Sequence, residues 1–121
     1  MKKYDDTARL NHIYDAICKI ETYVAGIEKT DFLVNSMLQD ALMRQIEIIG
    51  EAAGRISGEL QEKHPELPWL EMRAIRNKIV HDYLEINTDI IWDTVQHDLP
   101  TLKPQIKKLL GDWIKLYLDG R

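Results

Sequence analysis

The chain has 121 residues, a formal net charge of −4, and 45% hydrophobic against 30% charged residues. That balance suits one soluble domain, residues 1–121, with its own core, and it excludes the broad basic coat of a non-specific nucleic-acid binder, though not a local basic cleft. A single cysteine, Cys18, excludes an intramolecular disulfide. The first residues lack an apolar signal core, and no run of ~18 apolar residues follows, so a cytoplasmic protein with no membrane segment is expected.

Residues 5–28 read as one long helix. Leu10, Ile13, Ile17, Ile20, Val24 and Ile27 recur three and four apart as one apolar seam, widened by Tyr14 and Cys18. Gly26 weakens its end. Lys29-Thr30-Asp31 reads as a break, with Thr30 or Asp31 capping a short turn that carries Phe32 and Leu33. Ser36 reads as the cap of a second long helix, reaching about Lys63, with Met37, Leu38, Ala41, Leu42, Ile46, Ile49, Ala53, Ile56 and Leu60 apolar. Gly50 and Gly54 inside it imply close approach of another helix. Arg44, Glu47, Glu51 and Arg55 fall on a different face, where they suit i,i+4 ion pairs on a wet surface. The sharper alternative puts Glu47, Glu51 or Arg55 in a cleft.

Residues Lys63 to Leu67 form a connection, with His64 on the surface or capping. Pro68, at or near a first turn, opens a third helix. That helix buries Leu70 or Met72, Ile75, Ile79 and Val80, and turns Arg73, Arg76 and Asn77 away from the core. Leu84 to Asn87 reads as a loop and Thr88 as the next cap. Asp89 to Gln96 is helical, and Asp98-Leu99-Pro100 restarts or kinks it. Pro104 belongs in the first turn of the last helix or at a bend, and Ile106, Leu109, Leu110, Trp113 and Leu116 continue its stripe. Trp69, Trp92 and Trp113 sit in apolar settings and read as packing. No strand alternation persists. The expected architecture is all-α, an up-and-down bundle of four to five helices.

The densest run of reactive side chains is Arg76-Asn77-Lys78-Ile79-Val80-His81-Asp82-Tyr83. On an ideal helix Arg76 and His81 would lie about 140° apart. They can share a site only if the helix ends near His81, or if a second copy of the chain supplies the partner group. Each also has an ordinary reading: Arg76 as a salt-bridged surface residue, His81 as a helix C-terminal cation, Tyr83 as a half-buried core residue. The histidines form no metal-binding spacing, no cysteine pair exists, and no glycine-rich phosphate loop is present, so no metal and no cofactor are expected.

The spacing Arg76, four residues, His81, one residue, Tyr83 resembles the Arg-x-x-x-x-His-x-Tyr signature of the HepT-like ribonuclease toxins of the HEPN superfamily. The segment from Gln45 to Ala53 resembles that family's central helix. His64-Pro65-Glu66-Leu67-Pro68-Trp69 resembles its connection into the motif helix, and Asp98-Leu99-Pro100 a segment of its last helices. The similarity runs from about Ile13 to Leu110. It implies a homodimeric helical ribonuclease whose motifs meet in a shared cleft. It further implies the toxin half of a type VII-like toxin–antitoxin pair, silenced when a minimal nucleotidyltransferase antitoxin attaches AMP to Tyr83.

The residues carry the same chemistry on their own terms. RNA brings its own nucleophile, the 2′-OH, so cleavage needs a base, a cation for the phosphate and an acid for the leaving 5′-oxygen. Histidine suits the proton transfers and arginine the phosphate. His81 and Arg76 are therefore the expected catalytic residues, with Tyr83, Asn77, Lys78 and Arg73 supporting or binding RNA, whether tRNA or mRNA. A homodimer would supply two histidines, base and acid. The alternative is a non-catalytic regulatory or substrate-binding subunit for the nucleotidyltransferase, and a weaker third reading is a helical dimer with a structural role.

Overall fold

Leu10, Ile13, Ile17 and Ile20 form the buried seam expected of the first helix, each at most 1% exposed. In the computed structural model the backbone is described for residues 2–82 and 85–119, and side chains for residues 5–80 and 85–112. The first helix, α1, spans Lys2–Val24. It stops short of Glu28 because Gly26 adopts φ 72°, a left-handed conformation that ends a helix at little cost only for glycine.

The next helix, α2, spans Lys29–Leu33 and begins earlier than expected. The Glu28 carbonyl accepts from the N–H groups of Asp31 (3.0 Å) and Phe32 (3.1 Å), so Thr30 and Asp31 lie inside the helix instead of capping it. Burial of Phe32 sets this register: its ring packs against Trp92 with centroids 5.0 Å apart.

Asn35, one residue before the expected Ser36, caps α3, Ser36–Gly54; its side chain accepts from the Leu38 N–H at 3.0 Å. The helix ends at Gly54 and does not continue to Lys63. The cause is a contact from the start of the chain. Buried Asp6 of α1 accepts from the Ser57 backbone N–H (2.8 Å) and hydroxyl (2.5 Å). Ser57 in turn caps a separate short helix, α4, Gly58–Lys63. A buried carboxylate that satisfies two donors is costly to remove. Asp6→Ala is expected to lower unfolding stability by about 1.5–3 kcal/mol, read as a shifted urea midpoint at unchanged slope.

Trp69 opens α5, Trp69–Ile79, and its indole N–H donates to the His64 carbonyl at 2.8 Å. Pro68 is the cap and not part of the first turn. Met72 and Ile79 are buried and Ile75 half-buried, as expected; Leu70, the other choice, is 65% exposed. After Ile79 the chain turns extended. Strands β1, Val80–Asp82, and β2, Glu85–Ile86, pair antiparallel with Val80 opposite Ile86 and a register irregularity before Asp82. This minimal ladder replaces part of the expected loop; strands of three and two residues are too short to show as alternation in a sequence.

Asn87, and not Thr88, caps α6, Thr88–Asp93, by accepting from the Ile90 N–H at 3.1 Å. The helix does not break at Asp98-Leu99-Pro100. It passes through a π-helical turn, Thr94–Asp98, into α7, Leu99–Asp119. Pro100 cannot donate to the Gln96 carbonyl, and widening the preceding turn accommodates its ring. Pro104 sits in the second turn of α7. Gln96, Pro100 and Pro104 are all exposed, so water can take the place of the missing donors.

Contacts between elements give the directions. Asp6 beside Ser57 sets α1 antiparallel to α3. Glu47 beside Arg76, with Gly50 against Met72 and Arg73, sets α3 antiparallel to α5. Lys103 bonded to Glu21 at 2.7 Å sets α7 antiparallel to α1. The fold is therefore the expected all-α, up-and-down bundle, with short α2 and α4 at its corners. Ile46, Ile49, Ala53, Ile91, Ile106 and the α1 seam form its core. Met37 is the exception among the expected core residues, at 80% exposed. Trp69 is buried and Trp92 packs on Phe32, as read; the Trp113 side chain lies outside the described residues. Among the described residues no helix is long and apolar enough to cross a membrane.

Gly50 meets α5 as its position suggested. A methyl group there would lie 3.3 Å from the Met72 carbonyl oxygen and 3.4 Å from Ile75 Cγ2. Gly50→Ala would gain roughly 1 kcal/mol of helix propensity but force two helices apart at a backbone contact. A net loss of stability is expected, with a lowered melting temperature as the readout.

Candidate active site at the seam of α3 and α5

The close approach at Gly50 leaves a seam whose outer edge is lined by charged residues of both helices. Arg76 stands in the last turn of α5, exposed, as the periodicity required. Its Nε lies 3.8 Å from Oε2 of Glu47 on α3. Exposed pairs of this kind contribute ~1 kcal/mol or less to stability, so the pairing matters more for where the guanidinium points. The contact is an ion pair on the Nε edge of the fork, reaching from one helix to the other. This favours the cleft reading of Glu47 over the i,i+4 reading, and the signal for it was already present: Glu47 sits one turn before the bare surface of Gly50.

Arg73, one turn earlier, also leans over α3. A methyl group on Gly54 would lie 3.8 Å from its Cγ and 3.9 Å from its Cδ. Asn77 is exposed. Lys78 turns the other way and lines a groove of about 480 Å³ between α5 and α7, floored by Ile49, Met72 and Leu102. The structure thus gathers Arg73, Arg76 and Glu47 on one flank of α5 and sets Lys78 on the other.

The end of α5 decides the relation of Arg76 to His81. The Val80 N–H still bonds to the Arg76 carbonyl, but Val80 itself is extended (φ −88°, ψ 115°). His81 therefore lies on β1, two residues past the last helical residue, and the helical separation of about 140° does not apply. The Asn87 N–H donates to the Ile79 carbonyl at 2.8 Å and closes the segment at its base. The side chains of His81 and Asp82, and all of Tyr83, lie outside the described residues. Among the described residues no group of three or more His, Cys, Asp or Glu could hold a metal ion.

The description "Ribonuclease HepT-like" belongs to the family model that matches residues 13–109. The chain belongs to the ribonuclease HepT-like family. A protein named probable ribonuclease HepT from Thermococcus cleftensis is 40% identical over 100 residues, which is 83% of this chain and 91% of that one. A protein from Caldanaerobacter subterraneus subsp. tengcongensis, named as a candidate RNase, is 38% identical over 101 residues, covering 84% and 90%. Another so named, from Methanocaldococcus jannaschii, is 34% identical over 107 residues, covering 88% and 98%. No solved structure matches. The HepT-like resemblance read from Arg76, His81 and Tyr83 is borne out for the family, and with it the expectation of an RNA-cleaving enzyme class.

Proposed function

We propose that this protein is a metal-independent endoribonuclease, the toxin of a toxin–antitoxin pair, that cleaves RNA by attack of the 2′-OH. The observation that carries the proposal is the exposed Arg76, oriented by Glu47 on the last turn of α5, with His81 in sequence just beyond the end of that helix. In this reading neutral His81 of one protomer takes the 2′-OH proton. The 2′-oxygen bonds to phosphorus, and the bond from phosphorus to the 5′-oxygen breaks. Protonated His81 of the second protomer gives its proton to that oxygen. The products are a 2′,3′-cyclic phosphate and a 5′-OH. Arg76 holds the phosphate as charge builds on it, through two parallel N–H donors. Asn77 and Lys78 add polar and positive groups from either side of α5.

A homodimer supplies the acid and the base. Support for it comes from exposed Val34 and Met37, which lie where α3 begins, at the same end of the bundle as the end of α5. Tyr83 is the site at which a minimal nucleotidyltransferase antitoxin attaches AMP. A nucleotide two residues from His81 would set negative phosphate beside Arg76 and oppose RNA.

The test is cleavage of total RNA and tRNA by purified protein in excess EDTA, with analysis of the new ends. Cleavage with cyclic phosphate ends is expected. Intact RNA, from protein shown by mass to carry no nucleotide, would sink the catalytic reading and favour a regulatory or substrate-binding subunit.

A further inference from the structure

The proposed chemistry concerns a single phosphate and therefore Arg76 and His81. It leaves Arg73 unused, although Arg73 lies on the same seam, against Gly54. We propose that Arg73 binds the phosphate next to the scissile one, so that the seam of α3 and α5 is a track for single-stranded RNA. The inference rests on the ribonuclease reading and deepens it by naming the substrate class.

Arg73 precedes Arg76 by one turn, about 4.5 Å along the axis, and both lean to the α3 side. Two long side chains with that separation at their roots reach neighbouring phosphates of an extended strand. Gly54 provides the seat: with no side chain there, the Arg73 stem lies along the surface of α3, at contact distance from where a methyl group would be. A stem laid on a surface gives up less rotamer freedom on binding than one waving in solvent.

The two arginines also differ in their partners. Arg76 has Glu47, whereas among the described residues no acid pairs with Arg73. Its full fork is available to a phosphate. Exposed Arg55, which closes α3 next to Gly54, adds a further positive charge at that end of the helix. Exposed Glu51 carries the opposing charge on the same helix, between Glu47 and Arg55, which keeps the track weak and local in a chain of net charge −4.

A single strand fits better than a duplex. In-line attack needs the 2′-oxygen, phosphorus and 5′-oxygen aligned, and the A-form stack prevents that alignment.

The experiment compares two substrates. The first is a single strand of about twelve nucleotides, within the ~4–16 covered by other single-strand-binding folds. The second is the dinucleotide of the step the protein cuts within it, which has one phosphate. For Arg73→Gln the ratio of kcat/KM on the long strand to that on the dinucleotide is expected to fall about tenfold, through KM, and Arg73→Lys to restore much of it. Binding to the same strand made uncleavable by 2′-deoxy substitution is measured against salt. There Arg73→Gln should reduce the slope of log K against log salt by about 0.7, the value for one contact to a single strand. An unchanged ratio and slope overturn the subsite. A ratio unchanged because both substrates lose equally also overturns it, since Arg73 would then act at the scissile phosphate or on folding. If wild-type protein cuts neither substrate, the ribonuclease reading fails by itself, and the salt slope still decides whether Arg73 contacts RNA.

Discussion

Arg76→Ala is expected to lower kcat/KM for RNA by about 10²–10³, the loss typical of one donor that meets developing charge in a transition state. Arg76 is 56% exposed and pairs with Glu47 at 3.8 Å, so its removal leaves no buried hole or stranded core charge. Urea unfolding should change by less than about 0.5 kcal/mol, as for surface substitutions generally. A large loss of activity at near-constant stability is therefore the signature. Arg76→Lys keeps the charge but loses the planar fork, and should recover only part of the rate. If Arg76→Lys matched the wild type, charge alone would suffice and the bidentate role would be wrong. Glu47→Gln separates orientation from charge: loss of kcat with KM little changed supports orientation of the fork. A lowered KM with kcat intact would show that Glu47 acts only as an opposing charge.

His81→Ala should cost about 10²–10⁴ in kcat, the range for removal of a positioned proton-transfer group. The larger expectation comes from the proposed homodimer, in which one substitution would remove both base and acid. The wild type should show a bell-shaped pH profile, since in the proposed mechanism one histidine must be neutral while the other is charged. In His81→Ala that bell should vanish and leave only the slow rise with hydroxide. The histidine role would be wrong if the substituted protein kept the bell at reduced height, because some other pair would then be titrating.

Much of the bundle was legible because its core repeats at helical spacing, and burial confirms that spacing from Leu10 to Ile106. What was not legible depends on contacts between distant residues. The end of α3 is set by Asp6, which lies 51 positions from Ser57. The register of α2 is set by Phe32 against Trp92, about half the chain away. Each misplaced cap, Asn35 for Ser36 and Asn87 for Thr88, is a choice between adjacent polar residues with nearly equal capping strength, which local preference cannot separate. At the site, Arg76 was legible as an outward residue on α5. Its pairing with Glu47 was only one of several charge patterns on α3 until the two helices were set side by side at Gly50.

The bond from the Asn87 N–H to the Ile79 carbonyl has a wider consequence. Ile79 and Ile91, on the helices flanking that bond, are fully buried, so both ends of the intervening stretch are moored in the core. The stretch is a tethered ring, and the entropy of closing it is set by its two moorings and hardly by what lies between. Helices α5 and α6 are thus each held by the core on their own account, and neither relies on the length of chain between the two anchors to keep its place.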